Sequence, residues 1–174
     1  NETGEILGAC PEPKPIEYNF TQLVLGKVQS GKTTSFNSAI AMALDNGFKL
    51  IILLGGRTNN LLNQNVIELK KYFGNENDCI VYSSSEIEGG LNLIKDLPLH
   101  VLDNYNLIIS IMKQQDHIDA LRKDLKKQLR FLFNINTLVI DDEADNASLN
   151  TLIHQDDEEE SRIYNCIKKL RETL

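Results

Sequence analysis

The fold is decided by the stretch "FTQLVLGKVQSGKTTSFNSAIAMALDNG", residues 20–47. Its opening segment, "FTQLVLG", is largely apolar or β-favouring and predicts a strand. After Lys32, apolar side chains recur on one face of a helix, at Phe36, Ile40, Ala43 and Leu44. Gly47 then stands where a helix C-cap glycine belongs. The stretch therefore predicts a strand, a glycine-containing polar loop and a helix, in that order.

Strands and helices continue to alternate along the rest of the chain. Further strands are predicted from "FKLIILLGG", "DCIVYSS", "NLIISIMK" and "NTLVIDD", residues 48–56, 78–84, 106–113 and 136–142. Further helices are predicted over residues 58–74, 116–133 and 161–174. This alternation predicts an α/β fold of three layers, with a central, mostly parallel sheet covered by helices on both faces. Residues 1–15 are predicted to form an extended lead-in, and residues 16–174 one domain.

Composition limits the class of protein. The chain has 174 residues and a formal net charge of −7, from 18 basic and 25 acidic side chains. Proteins that bind nucleic acid through bulk electrostatics are usually basic, so any such contact here depends on a few placed residues or on another part of the protein. The acidic run Asp156–Glu160 is interpreted as a solvated segment rather than a metal site.

Cysteine usage and the absence of long apolar runs concern the compartment. Three widely spaced cysteines argue against a disulfide framework and for a reducing environment. The longest apolar run is too short to span a membrane, and the first residues do not resemble a signal peptide. We therefore expect a cytoplasmic protein without a membrane partner. Because the chain starts at Asn1 without a methionine, we also expect it to be a piece of a longer protein.

The polar loop fits the pattern G-x-x-x-x-G-K-[ST] at every defined position, from Gly26 to Thr33. In such a loop, backbone N–H groups and the start of the following helix bind phosphate oxygens, and the motif must follow a strand and open a helix. Lys32 would reach the terminal phosphates of ATP, and Thr33 would place a hydroxyl on Mg²⁺. The alternative is a structural turn. The predicted nucleotide-binding residues are Gly26, Gln29, Ser30, Gly31, Lys32, Thr33 and Thr34.

A second segment, "TLVIDDEADNAS", supplies carboxylates for the same chemistry. Its apolar residues predict a strand that delivers Asp141 and Asp142 at its carboxyl end, where α/β sheets bind ligands. Asp142 is the predicted partner of Mg²⁺, and Glu143 is the predicted general base, which is catalytic together with Lys32. The alternative interpretation is an acidic patch at a helix start, where carboxylates are favoured anyway.

These motifs carry a family resemblance. Residues 142–145 spell the DEAD box of superfamily 2 helicases, although a P-T-R-E-L segment and a clear adenine-reading glutamine motif are missing. The blocks "GKVQSGKTTS", "LLGGRTNNLLNQ" and "LVIDDEADNASLNT" resemble, in order, those of the Z-one domain family of bacterial P-loop proteins. These are helicase-like ATPases found with restriction-modification and phage-defence genes. The resemblance implies a first RecA-like lobe of an enzyme that hydrolyses ATP with Mg²⁺.

The resemblance also implies further roles and partners. Arg57, Thr58 and Asn59 occupy the place where helicases contact the nucleic-acid backbone, and their alternative interpretation is a helix N-cap with an exposed arginine. Asp145 would sense a second RecA-like lobe of the same protein. DNA is favoured over RNA as the partner. Because the chain stops short of that lobe and its arginine finger, we expect these residues alone to hydrolyse ATP very slowly and to bind nucleic acid weakly.

Two main alternatives to a motor ATPase remain, beside a third, a small-molecule kinase, that the sequence does not support. One is a nucleotide-dependent switch with slow turnover, which would not need Glu143 beside Asp142. The other is an endonuclease, a label the family also carries, because Glu68 and Lys70 have the E-x-K spacing of a nuclease metal site. That spacing falls in a segment with helical periodicity. A small-molecule kinase would need a substrate lid and an acceptor pocket, for which the sequence offers no candidate segment.

Overall fold

The computed structural model describes residues 21, 32–55, 58–74, 78–83, 99–132, 135–142, 144 and 162–174, and the side chains of residues 32–35 and 129 are outside this description. Several predictions therefore fall on residues that are not described. They are the strand at 20–26, the loop at Gly26–Gly31, and the individual residues Arg57, Glu143 and Asp145. The lead-in at 1–15 and the acidic run at 156–160 also lie outside the described residues.

Helices and strands follow one another along the chain much as predicted. Their bounds are α1 Lys32–Asp45, β1 Leu50–Gly55, α2 Asn59–Phe73, β2 Cys79–Ser83, β3 Asn106–Met112, α3 Gln115–Lys127, β4 Thr137–Asp141 and α4 Arg162–Arg171. Two short 3₁₀ helices, Leu99–Asp103 and Leu129–Phe131, come before β3 and after α3. The described part of the chain thus confirms the order of strands and helices predicted from residue 32 onwards.

One helix ends earlier than its apolar pattern indicated. The prediction of a continuous helix over residues 116–133 is wrong beyond Lys127, because Gln128 leaves the α conformation at φ −118° and ψ 21°. A 3₁₀ turn follows, and Phe131 and Leu132 pack against the hydrophobic core from it. Phe131 and Leu132 therefore reach the core through a change of chain direction and not through a longer helix.

Gly47 ends α1 as predicted. Its φ is +83°, a backbone conformation that side chains with a Cβ rarely adopt, and its N–H donates to the Leu44 carbonyl at 3.0 Å. The left-handed turn directs the chain back towards β1, which begins three residues later at Leu50.

The four described strands form one parallel sheet in the order β2-β3-β1-β4. The connection from β1 to β2 passes over β3 in one direction, and the connection from β3 to β4 passes over β1 in the other. Because such crossovers are right-handed, the two connections have to lie on opposite faces of the sheet. This arrangement places α2 and α3 on opposite sides of the strands.

The packing shows the same two faces. One hydrophobic cluster joins α1 and α2 to the sheet, and its buried members are Ile40, Ala43, Ile51, Leu53, Leu69, Phe73, Val81 and Ile108. The cluster on the other face joins α3 and α4 to the sheet through Leu50, Ile52, Leu54, Leu107, Ile109, Ile111, Ile118, Leu121, Leu125, Cys166 and Leu170. The fold is therefore a three-layer α/β arrangement around a parallel sheet, as predicted. No helix in the described ranges combines the length and the apolar character needed to cross a membrane.

Candidate functional site

The carboxyl ends of the four strands meet at one edge of the sheet, which we call the carboxyl edge. Because all four strands are parallel, Gly55, Ser83, Met112 and Asp141 end their strands on the same side. Open α/β sheets bind ligands at this side, where the loops after the strands converge. Charged residues follow two of these strands directly: Lys113 follows β3, and Asp142 follows β4. The carboxyl edge is therefore the candidate site.

Helix α1 begins at the carboxyl edge. Its 14 residues span about 21 Å, close to the length of about 20 Å for the six residues of β1. The connection at residues 46–49 is short, and Ile40 and Ala43 pack against Ile51 and Leu53. Helix α1 therefore runs antiparallel to β1, and the backbone of Lys32, which starts the helix, lies level with the end of that strand. The N–H groups of a first helical turn lack partners within the helix and attract anions.

The backbone of Asp142 is held beside the end of β1. Its N–H donates to the Leu54 carbonyl at 3.1 Å, which extends the ladder between β1 and β4 by one residue. Leu138 and Ile140 of β4 pack in the cluster that contains α1 and α2. Since strand side chains alternate, Asp142 continues the series that faces α1, and Asp141 belongs to the series that faces α3 and α4. Of the two adjacent aspartates, Asp142 is thus the one on the side of the α1 start.

A buried lysine accompanies Asp141. The Lys113 side chain is 2% exposed, and its Nζ lies 2.6 Å from Asp141 Oδ1. The same ammonium group donates to the backbone carbonyl of Asp142. The contact with Asp141 is an ion pair without good hydrogen-bond alignment, and Asp141 Oδ1 has no aligned donor in the described part of the chain. The charge of Lys113 therefore offsets that of Asp141.

Helix α2 also begins at the carboxyl edge, directly after β1. Thr58 is its N-cap, with extended backbone, and the Thr58 hydroxyl accepts a hydrogen bond from the Leu61 N–H at 3.4 Å. Thr58 and Asn59 are both exposed. The capping interpretation of Thr58 is confirmed, while a contact between these residues and nucleic acid stays a prediction. A hydroxyl that caps a helix can also face a ligand.

The E-x-K spacing does not form a nuclease site in this fold. Glu68 and Lys70 lie in α2 on either side of Leu69, which is fully buried. Residues two apart on a helix point in widely different directions and do not converge on one ion. Within the described ranges, no three His, Cys, Asp or Glu side chains are grouped so that they could hold a metal ion.

Two titratable side chains near α3 have shifted pKa values. Burial lowers the pKa of His117, in the first turn of α3, and the nearby carboxylate of Asp116 opposes this shift. Burial raises the pKa of Cys166, and the carboxylate of Asp119 adds to the increase through its charge and a side-chain hydrogen bond. Both shifts result from the packing of α3 and α4 over the sheet.

Two parts of the predicted site lie at the same edge of the sheet. The backbone of Lys32, Thr33 and Thr34 starts α1 there, and the alternation of β4 assigns Asp142 to the face that α1 covers. The predicted loop, the base Glu143 and the interlobe Asp145 are outside the described residues, so their places stay predictions.

The sequence prediction missed Lys113. Lys113 directly follows an apolar strand, as Asp142 does. This shared position is the sequence signal that could have identified the lysine. Asn37 of α1 is a buried polar residue that the sequence analysis did not single out. It is 7% exposed, and its Oδ1 has no donor among the described residues.

Comparisons of the chain with family models, with curated proteins and with solved structures found no match. The resemblance to the Z-one domain family therefore stays a prediction that depends on the quoted motifs.

Proposed function

We propose that this chain is the nucleotide-binding lobe of a helicase-like ATPase, which hydrolyses ATP with Mg²⁺ in order to remodel or translocate on nucleic acid. The resemblance to the Z-one domain family suggests a bacterial restriction or phage-defence system. One observation carries the proposal. The helix start that follows the G-x-x-x-x-G-K-T motif and the end of β4 lie at the same edge of a parallel sheet, and the alternation of β4 assigns Asp142 to the face covered by α1. A P-loop ATPase requires this arrangement, because phosphate and metal must meet there.

The donor set at the carboxyl edge suits Mg²⁺. This ion takes one or two protein carboxylates and fills its other positions with water and substrate phosphates. Asp142 would provide a carboxylate and Thr33 a hydroxyl, and no cluster of three acidic, His or Cys ligands in the described ranges points to a dedicated protein cage. When bound, Mg²⁺ would neutralise charge on the phosphate oxygens. Lys32 would place its charge on the terminal phosphates, and the N–H groups of the α1 start would orient them.

Glu143 is the proposed general base for the attacking water. It follows Asp142, whose backbone N–H and C=O are both hydrogen-bonded. A general base contributes about 10² to 10⁴ in rate, and this expectation separates hydrolysis from mere binding.

The main alternative is a nucleotide-dependent switch, in which binding signals to a partner and turnover is slow. The position of Glu143 beside Asp142 favours hydrolysis over this alternative. A role within an endonuclease would need a metal site other than the E-x-K segment, because Glu68 and Lys70 do not converge on α2.

The proposal is tested on the full-length protein with a steady-state ATPase assay. Glu143→Gln should keep nucleotide binding and slow turnover by about a hundredfold or more. Asp142→Asn should weaken the dependence on Mg²⁺. Single-stranded DNA or RNA should stimulate the wild type if it is a motor, and should have no effect on a switch. Turnover unchanged by Glu143→Gln would contradict the assigned base.

A further inference from the structure

Lys113 is a buried cation with a specific place in the fold. It directly follows β3, and the residue as a whole is 1% exposed, so its ammonium group is removed from water. Burying an ammonium group is costly unless it is paired and hydrogen-bonded, so a lysine at such a position requires partners. Two groups that it contacts, the Asp141 carboxylate and the Asp142 carbonyl, are at the end of β4, two strands away in the sheet.

The Lys113 side chain crosses the end of β1 to reach them. Strand β1 lies between β3 and β4, and two strand spacings amount to about 9–10 Å. Ile109 and Ile111 of β3 pack with the α3 and α4 cluster, so the alternation of side chains directs Lys113 to this face. Asp141 belongs to the same face by the same alternation. Lys113 and Asp141 can therefore meet over the end of β1.

The two contacts act on neighbouring residues in different ways. The Asp141 carboxylate is neutralised by an ammonium group 2.6 Å away. The Asp142 carbonyl accepts a hydrogen bond from the same ammonium group, while the Asp142 N–H donates to Leu54. Asp142 is thus held by its backbone on both sides, from β1 and from the end of β3.

We propose that Lys113 is the positioning residue for Asp142. By holding the Asp142 carbonyl it fixes the backbone that carries this carboxylate, and by neutralising Asp141 it leaves Asp142 as the aspartate that offers charge to a metal ion. The proposal depends on the function proposed above, because it assigns Lys113 a role in Mg²⁺-dependent nucleotide binding. Groups that orient metal ligands in this way typically change metal affinity by about 10- to 100-fold when removed.

A purely structural ion pair would make a different prediction. Removing one partner of a buried pair leaves an uncompensated charge, whereas removing both can be nearly neutral for stability. If Lys113 served only to neutralise Asp141, the double variant Lys113→Met/Asp141→Asn would recover stability and Mg²⁺ response together. If Lys113 positions Asp142 through its carbonyl, the double variant recovers stability but not the Mg²⁺ response, because methionine cannot donate to that carbonyl.

The experiment measures ADP binding by calorimetry, with and without Mg²⁺, and the midpoint of thermal unfolding of each variant of the full chain. Lys113→Met should lower the midpoint and reduce the enhancement of ADP affinity by Mg²⁺ by at least about tenfold, with little change in Mg²⁺-free affinity. Lys113→Met/Asp141→Asn should restore the midpoint and keep the reduced enhancement. Lys126→Met, in the exposed last turn of α3, is the matched control and should change neither quantity.

Three outcomes would overturn the inference. Full Mg²⁺ enhancement in Lys113→Met, or its recovery in the double variant, would show that Lys113 does not position Asp142. Wild-type protein that binds ADP without any Mg²⁺ effect would also overturn it. Wild-type protein that does not bind ADP would instead refute the proposed function itself, and the positioning role with it.

Discussion

Strands β1 and β4 are hydrogen-bonded neighbours with very different surroundings. All six residues of β1 are buried, while no residue of β4 is fully buried and Val139 is 37% exposed. Their register pairs Ile52 with Val139 and Leu54 with Asp141. Strand β1 is a scaffold that packs helices on both faces, and β4 delivers two aspartates to the carboxyl edge. The comparison teaches that a fully buried central strand supports a neighbour that can place charged residues at the carboxyl edge.

The largest expected effect compares the two register partners directly. Ile52→Ala should lower the free energy of unfolding by about 2–5 kcal/mol, because it removes three carbons from a fully buried position and leaves a cavity. Val139→Ala should lower it by less than about 1 kcal/mol, since that side chain is partly in water. Urea denaturation of both variants measures the difference. Equal losses of unfolding free energy would show that β4 is buried as deeply as β1, which would contradict the difference between the two strands.

Thiol reactivity tests the same difference on a second pair of positions. Cys166 is 5% exposed and packs in the cluster on the α3 and α4 face, with a raised pKa, whereas Cys79 is partly exposed at the start of the outer strand β2. Because thiolate is the reactive form and access requires local opening, Cys166 should be alkylated at least about tenfold more slowly than Cys79. Mass spectrometry after iodoacetamide labelling of the native protein resolves the two sites. Faster labelling of Cys166 would contradict the packing of α4.

The N-cap of α2, which follows β1 at the carboxyl edge, provides a third test. Thr58→Ala should lower the free energy of unfolding by about 0.5–1 kcal/mol, at the low end for an N-cap because its hydrogen bond is long at 3.4 Å. Thr58→Ser keeps the hydroxyl and is the matched control, which should stay close to wild type. Both variants are compared by urea denaturation. An unchanged Thr58→Ala would mean that solvent replaces the cap without loss.

The smallest effect concerns pH and His117, which lies in the first turn after β3. Its pKa is lowered from 6.5 by burial, so the unfolded chain binds a proton at this site more readily than the folded chain does. The free energy of unfolding should therefore fall as the pH is lowered from 6.5 towards the folded pKa. His117→Gln should remove that contribution, and His100→Gln, at an exposed position, should not. Denaturation curves at several pH values provide the measurement, and equal pH dependence of the two variants would contradict the assignment.

Sequence patterns predicted the scaffold more completely than the site. The apolar run of β1, the helical spacing of Leu62, Val66, Leu69 and Phe73, and Gly47 at the end of α1 were all predicted, because local spacing and backbone preference determine them. The end of α3 was predicted too late, since the packing of Phe131 and Leu132 outweighed their helical spacing.

The contact of Lys113 with the end of β4 could not be predicted from spacing. It joins residues 28 and 29 positions apart through a strand order that the sequence does not reveal. The motif distinguished Asp142 from Asp141 by analogy, whereas the alternation of β4, whose Leu138 and Ile140 face α1 and α2, assigns the two aspartates to opposite faces of the sheet. Long-range pairing, and not local preference, determines this part of the site.

The central claim is that the carboxyl edge between the start of α1 and Asp142 binds a nucleotide with Mg²⁺. Calorimetric titration of the full chain with ADP and Mg²⁺ tests it most directly, with Lys32→Ala beside wild type and Lys126→Ala as the control. The account predicts saturable binding by wild type and the control, and binding weakened by about 10- to 100-fold in Lys32→Ala, because a charge-assisted contact to phosphate is lost. Equal affinity of wild type and Lys32→Ala would contradict the account.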